Sequence, residues 1–93
     1  MIIATLTYKV STEDLDHHID AHREWLTAGI ESGHLLAAGR KVPRTGGMLL
    51  VRGELDEVKA WAATDPFAVR GLADYDFTEV AVTLTADGLA GLK

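Results

Sequence analysis

The sequence predicts an α+β fold in which two helices cover one face of an antiparallel sheet. In some segments apolar residues alternate, as in a half-buried strand, and in another they recur about every 3.6 residues, as on one face of a helix. The length of 93 residues suits a single domain spanning residues 1–93. A domain of this size buries only about two-thirds of its unfolded surface, so association with a second copy would help to complete its core.

The first half of the chain contains a strand, a helix and a second strand. Residues 2–10 alternate between two largely uncharged rows, which predicts a strand covered on both sides for much of its length. Residues 11–14 supply a hydroxyl cap and acidic first-turn residues that begin a helix, and Gly33 is a natural residue to end it. A short strand follows at residues 34–41. The apolar stripe of the helix consists of Leu15, Ile19, Leu26 and Ile30.

The middle of the chain is predicted to form a hairpin and a second helix. The turn at residues 43–47 contains the Pro and Gly residues that interrupt regular structure. The continuous apolar run at residues 48–51 predicts a strand buried on both faces. The second helix covers residues 55–63 and ends before Pro66, because the residue preceding a proline is disfavoured in the helical conformation.

The remaining elements complete the order βαββαβ. Residues 67–72 are predicted to make one more helical turn, and residues 75–84 form the last strand. The apolar phase shifts within that strand, so a β-bulge is expected near Thr78 or Glu79. This order is that of a ferredoxin-like sandwich. Its second sheet face has no layer of its own to cover it, and the sequence therefore predicts a homodimer.

Composition excludes several classes of function. The net charge of −5 and the scattered Lys and Arg residues argue against nucleic acid, which requires a concentrated basic face. The chain has no cysteine, which excludes disulfides, thiolate nucleophiles and cysteine-based metal sites. No segment approaches the roughly 20 apolar residues of a membrane span. The apolar run at residues 1–6 is too short for a signal peptide, so we expect a cytoplasmic protein without membrane contact.

Two polar residues occupy positions where apolar ones are expected. His22 lies three residues after Ile19 and four before Leu26, so it projects from the apolar face of the first helix. Asp65 lies in the turn that ends the second helix. Taken alone, each has a structural interpretation: a core histidine bonded to a carbonyl, and an aspartate that caps neighbouring amides.

Together the two residues indicate chemistry. Both helices pack on the same sheet face in this topology, so His22 and Asp65 can approach each other. A carboxylate bonded to one imidazole nitrogen fixes the tautomer and leaves the other nitrogen as a base. We therefore predict His22 and Asp65 as the catalytic pair, within about 2.6–3.2 Å of each other.

Other candidate residues are less specific. Arg40 is either a solvated sheet edge or a substrate-binding residue that holds an anion at the mouth of a pocket. Phe67 is either core or a substrate-binding wall beside Asp65. His18 and His22 have the i,i+4 spacing of a helical zinc pair, but no further ligand converges on them. We therefore predict no metal and no cofactor.

The chain resembles the YCII-related (YciI-like) proteins of the dimeric α/β-barrel group. The resemblance extends from Ile2 to about Leu84 and rests on three segments, at residues 21–26, 31–39 and 60–67, the last reading Ala-Trp-Ala-Ala-Thr-Asp-Pro-Phe. It implies a ferredoxin-like fold, a homodimer and an active site built on the helix histidine and the Asp-Pro aspartate, here His22 and Asp65.

The resemblance also implies a class of reaction. Members of the group are associated with dehalogenation or isomerisation of chlorinated aromatic breakdown products and are similar to muconolactone isomerases. This chain differs in having Arg40 where many members have proline, and its hairpin at residues 43–47 is short. Substrate contacts made by that loop in relatives are therefore not transferred to this chain.

These observations predict an enzyme that moves a proton on a small cyclic or aromatic metabolite, by isomerisation or HX elimination, without a cofactor. One alternative is a non-catalytic module that binds a small ligand or dimerises beside an enzyme. A cofactor-free monooxygenase of the same barrel group is the third interpretation.

Overall fold

The computed structural model describes residues 1–93 and contains one four-stranded antiparallel sheet in the order β2-β3-β1-β4. Helices of the chain cover one face of this sheet, which confirms the predicted ferredoxin-like α+β fold. No helix is long and apolar enough to cross a membrane. The elements are β1 (Ile2–Tyr8), α1 (Thr12–Asp16), α2 (Ile19–Glu31), β2 (Leu35–Arg40), β3 (Gly46–Val51), α3 (Leu55–Ala62), α4 (Pro66–Val69) and β4 (Ala73–Glu79), followed by a short 3₁₀ turn at Ala90–Leu92.

The core lies between the sheet and the helices. Alternate residues of β1 are almost completely buried, and the register pairs Ile2 with Val51 and Ala4 with Leu49 of β3. Paired residues of adjacent strands project from the same face, so these four form a continuous apolar surface under the helices. The cluster comprises Ile2, Ala4, Leu6, Leu15, Leu35, Leu49, Val51, Val58, Phe67 and Ala73.

The opposite face of the sheet is open in the single chain. It carries Ile3 paired with Leu50, and Thr5 paired with Met48. Met48 is 39% exposed and Leu50 is only partly buried. The prediction that residues 48–51 are buried on both faces is therefore wrong for the isolated chain, because only the helix-facing row is covered by elements of the same chain.

The predicted first helix is divided in two at His17 and His18. Ser11 caps α1 by accepting a hydrogen bond from the Asp14 amide at 3.2 Å, as expected, but α2 begins with no side-chain cap. Ile30, predicted to face inward, is 53% exposed.

Gly29 replaces Ile30 as the inward residue of the last turns of α2. A Cβ at Gly29 would lie 2.8 Å from Trp61 Cζ2 and 3.2 Å from Leu35 Cβ. The missing side chain therefore allows α2 to pack closely on α3 and β2, and the apolar stripe ends on a glycine instead of a large side chain.

The bulge is on β2 instead of β4. The register of β4 with β1 is continuous from Ala73 to Glu79, where the strand ends, so the predicted bulge near Thr78 or Glu79 is wrong. In β2 the register shifts between Leu35 and Ala37. This extra residue reverses the alternation, so that Ala38 and Arg40 share the helix-facing side with Leu35. The bulge thereby directs Arg40 towards the side of the sheet on which His22 lies.

Candidate active site

His22 and Asp65 meet in the interior between α2 and the start of α4. His22 Nδ1 lies 2.7 Å from Asp65 Oδ1, within the range predicted from the sequence. His22 is 8% exposed and Asp65 is completely buried. The two residues are 43 positions apart in sequence, so the packing of the two helical segments on one sheet face brings them together.

Asp65 is held by three donors. It caps α4, where Oδ1 accepts a hydrogen bond from the Phe67 amide at 3.0 Å, and Pro66 at the first helical position has no N–H to satisfy. Oδ2 accepts a hydrogen bond from the Tyr75 hydroxyl at 2.6 Å. Asp65 therefore combines both roles considered from the sequence, as helix cap and as partner of His22.

Tyr75 is a residue of the candidate site that the sequence did not indicate. It lies on β4 opposite Leu6, in the row that faces the helices. Burial raises the pKa of Tyr75 well above its usual value, and the neighbouring Asp65 charge and their hydrogen bond raise it further. The phenol therefore keeps its proton and remains a donor. One feature of the sequence does point to Tyr75. Ala73, Tyr75 and Phe77 alternate along β4 and share its buried side, and Tyr75 carries the only hydroxyl among them.

The donors around Asp65 determine the tautomer of His22. Both oxygens of Asp65 already accept hydrogen bonds, and a carboxyl group is a far stronger acid than an imidazole N–H, so the shared proton resides on Nδ1. In the neutral ring Nε2 then carries the lone pair. Nε2 makes no hydrogen bond within the chain and is not sealed from solvent.

The plane of the imidazole is fixed by aromatic contacts. The Phe67 ring stacks on His22 with centroids 4.0 Å apart and planes 3° apart, and Trp25 lies 6.1 Å from His22 at 24°. Phe67 is 1% exposed and does not line the neighbouring pocket. The expectation that Phe67 forms a substrate-binding wall is therefore replaced: the ring supports the imidazole from behind.

A pocket of about 250 Å³ lies beside His22. Its inner surface includes Leu6 and Leu49, each 2% exposed, and Arg40 lies at its exposed side. Asp65 lies outside the lining and reaches the pocket only through His22. The lining residues are Leu6, Tyr8, Ile19, His22, Arg23, Leu26, Ala38, Gly39, Arg40, Gly47 and Leu49.

The remaining histidines do not assemble with carboxylates into a metal site. No group of three or more His, Cys, Asp or Glu side chains is arranged to hold an ion. His34 lies instead perpendicular to the Trp61 ring, with centroids 4.4 Å apart, and its Nδ1 contacts the Ser32 hydroxyl. His22 Nδ1, one member of the i,i+4 pair, is occupied by Asp65.

Comparisons with known proteins place the fold and the family. No curated protein matches the sequence. Among solved structures, the chain is similar to 5-chloro-2-hydroxyhydroquinone dehydrochlorinase from Burkholderia phenoliruptrix AC1100, determined in complex with 2,5-dihydroxybenzoquinone. That similarity has a TM-score of 0.71 at 18% identity and covers 87% of this chain and 94% of the other. The YCII-related domain matches residues 1–81, and the chain therefore belongs to the YCII-related family.

Proposed function

We propose that this chain is a small enzyme that transfers a proton on a small cyclic or aromatic compound without a cofactor, leading to isomerisation or HX elimination. The observation that carries the proposal is the contact of 2.7 Å between His22 and the buried Asp65, beside a pocket of about 250 Å³ that His22 itself lines. A base held in one tautomer, with its free nitrogen accessible to a ligand, is the arrangement that general base catalysis requires.

His22 is the catalytic residue of this proposal and Asp65 is its positioning residue. His22 Nε2 takes a proton from the ligand, and Asp65 stabilises the imidazolium that forms. In elimination, the electron pair left by the proton becomes a new π bond, while the halide departs with both electrons of the C–X bond. In isomerisation, the imidazolium returns the proton to another carbon. Neither reaction requires an electron acceptor.

The structural relative supports elimination over the other proton transfers. It is a dehydrochlorinase, so HX is removed from a chlorinated, hydroxylated ring on the same fold. In this chain Arg40 lies at the exposed side of the pocket and is proposed to contact the substrate. Tyr75 and Phe67 act through Asp65 and His22 and are positioning residues.

The test is turnover on a panel of halogenated hydroquinones and small lactones, with halide release and ring absorbance as measurements. We expect His22→Gln and Asp65→Asn to lower kcat by about 100-fold or more, the usual contribution of a positioned base. The matched control is Arg70→Gln on the exposed end of α4, which leaves kcat unchanged. Chelator also leaves the wild-type rate unchanged, because no step uses a metal.

Two results would contradict the proposal. Turnover that persists in His22→Gln within a few-fold of wild type would remove His22 from the chemistry. Ligand binding at the pocket without turnover of any panel compound would favour the alternative, a non-catalytic module that binds a small molecule.

Nitrogen NMR of the imidazole tests the role of Asp65 separately from turnover. In the wild-type protein the ¹⁵N shifts should show a protonated Nδ1 and an unprotonated Nε2. Asp65→Asn places an amide beside Nδ1, and we expect a mixture of tautomers. A spectrum identical to that of the wild type would show that the carboxylate does not select the tautomer.

We also propose that the chain forms a homodimer through its open sheet face. The apolar residues Ile3, Met48 and Leu50 lie there on the central strands, with no element of the chain above them. Pairing of two such faces would bury more than the ~1,000 Å² expected of a stable interface. Sedimentation at micromolar concentration should give twice the monomer mass, and Met48→Lys should shift it to the monomer. A wild-type protein that is monomeric at this concentration would contradict the proposal.

A further inference from the structure

We infer that the pocket selects an anion: a single ring that carries a carboxylate or an ionised hydroxyl group, held by Arg23 and Arg40 together. This inference rests on the proposed function in taking the pocket beside His22 as the substrate site. Arg23 was not singled out from the sequence, and the pair defines the class of substrate more narrowly than the proton transfer itself.

The charge of the pocket is opposite to that of the chain. The protein carries 14 acidic and nine basic Lys and Arg residues, yet no Asp or Glu lines this pocket. Its charged side chains are Arg23 and Arg40, beside the imidazole of His22 and the phenol of Tyr8. A cleft lined by one sign of charge with apolar walls concentrates ligands of the other sign.

Neither arginine has a direct partner within the chain, although the charge of Arg23 also acts on Asp16. The ion pairs that involve a lysine or an arginine lie elsewhere, as Arg44 with Asp16 at 2.6 Å and Lys9 with Asp74 at 3.5 Å. Arg23 and Arg40 form no salt bridge and donate no side-chain hydrogen bond to protein acceptors. Each guanidinium therefore retains its full set of donors for a carboxylate or phenolate oxygen.

The two arginines reach the pocket from different elements. Arg23 follows His22 directly on α2, and Arg40 ends β2, on the face that the bulge after Leu35 assigns to it. Both are exposed, whereas Leu6 and Leu49 at the inner end are buried. The pocket is therefore apolar inside and cationic at its mouth, so a ligand enters with its ring inward and its anionic group at the mouth.

The size of the pocket limits the ligand to one ring. A cavity of about 150 Å³ suffices for benzene, and this pocket has about 250 Å³, enough for a ring with small substituents. Strands β2 and β3 contribute two small residues to this lining, Ala38 and Gly47. A Cβ at Gly47 would lie 2.8 Å from the Gly39 carbonyl oxygen, so a larger residue is disfavoured at this position.

An anionic substrate also has a consequence for product release. Elimination of HX removes one proton and one halide ion, so the ring keeps its net charge. The arginines therefore bind product and substrate alike, and the product should compete with its own precursor.

The test compares an anion with its neutral isostere in the absence of chemistry. Benzoate and benzamide are titrated into ¹⁵N-labelled protein, with affinity taken from NMR shifts and calorimetry. We expect benzoate to bind at least about tenfold more tightly than benzamide, and each of Arg23→Gln and Arg40→Gln to weaken benzoate by about tenfold while benzamide is unchanged. Arg70→Gln, which removes the same charge outside the pocket, is the matched control and leaves both affinities unchanged.

A second titration distinguishes the two kinds of anionic group, the carboxylate and the ionised hydroxyl. Ionised 4-nitrophenol replaces benzoate, and the tighter of the two ligands shows whether the site prefers an ionised hydroxyl or a carboxylate. Binding of both anions should weaken as salt concentration rises, because the arginines are exposed to solvent.

The outcomes distinguish this inference from the proposed function. Equal affinity for benzoate and benzamide, no binding of either anion, or unchanged affinity in both arginine variants would overturn the anion site. Arginine-dependent binding without His22-dependent turnover would retain the anion site and reject the enzyme. Turnover of uncharged compounds that persists in both arginine variants would retain the enzyme and reject the anion site.

Discussion

Asp65 and Arg40 belong to one site but lie in opposite environments. Asp65 is completely buried, and its two oxygens face His22 Nδ1 and the Phe67 and Tyr75 donors, which come from α2, α4 and β4. Arg40 is exposed at the end of β2 and has no partner within the chain. The His22–Asp65 pair is thus fixed by the fold, whereas the proposed ligand-binding mouth of the pocket is free to adjust to what it binds.

The difference has a thermodynamic reason. A buried carboxylate is costly unless its oxygens are hydrogen-bonded, so the donors around Asp65 are required for folding as well as for orientation. An exposed guanidinium remains hydrated and costs the fold little. Substitutions at Asp65 should therefore lower the stability of the fold, whereas substitutions at Arg40 should affect ligand binding and leave the stability almost unchanged.

Asp65→Ala should produce the largest loss of stability. It leaves the Phe67 amide and the Tyr75 hydroxyl without an acceptor in the interior, and breaking a buried charged contact in this way costs about 3–5 kcal/mol. The measurement is the free energy of unfolding in urea. Glu24→Ala removes an exposed carboxylate of α2 and serves as the control, with a change within about 0.5 kcal/mol. Similar losses of unfolding free energy in the two variants would show that the buried carboxylate contributes no more to stability than an exposed one.

Tyr75→Phe should cost about 1.5–3 kcal/mol, the usual value of a hydrogen bond to a charged group. Because the aromatic ring remains in place, the loss of unfolding free energy measures the hydrogen bond donated by the hydroxyl and not the packing of the ring. A double-mutant cycle with Asp65→Asn isolates the interaction, since contacting residues are non-additive. Additive effects in the cycle would show that the two side chains do not stabilise each other.

Alkaline pH should weaken the buried region specifically. The pKa of Tyr75 is raised in the folded state by burial and by Asp65, so above about pH 10 the unfolded chain releases a proton that the folded chain retains. The free energy of unfolding therefore falls as pH rises, by up to about 1.4 kcal/mol per pH unit for this residue. Tyr75→Phe should remove that component. Identical pH profiles for wild type and Tyr75→Phe would contradict the raised pKa.

Arg40→Gln should have the smallest effect on stability. Its side chain is exposed and unpaired, so we expect the free energy of unfolding to change by less than about 0.5 kcal/mol. Urea unfolding of this variant, together with Arg23→Gln, is the check. A loss comparable to that of Asp65→Ala would mean that the mouth of the pocket is also a structural element.

The sequence predicts the elements whose signal is periodic. The apolar stripe of the first helix located His22, and the Asp-Pro turn located Asp65, because both depart from an otherwise regular pattern. Tyr75 was missed because a tyrosine in an alternating row is equally typical of an ordinary half-buried strand.

Features set by tertiary packing could not be predicted in the same way. The bulge after Leu35 lies in a short apolar segment that carries no turn residue, so the side on which Arg40 lies is not encoded locally. The break at His17 and His18 has no capping side chain to signal a new helix. The sequence alone predicts Arg23 to be an ordinary solvent-exposed helix residue. Its position at the pocket depends on the packing of β2 against α2.

The aromatic contacts of His22 have an optical consequence. The chain contains two tryptophans, Trp25 and Trp61, which stack with centroids 4.1 Å apart. The Trp25 indole N–H also donates a hydrogen bond to the Thr64 hydroxyl at 2.9 Å, next to Asp65 in sequence. All of the intrinsic indole emission of the protein therefore arises beside the His22–Asp65 pair. Ligand entry and imidazole protonation should both be readable as changes in fluorescence of the unmodified chain.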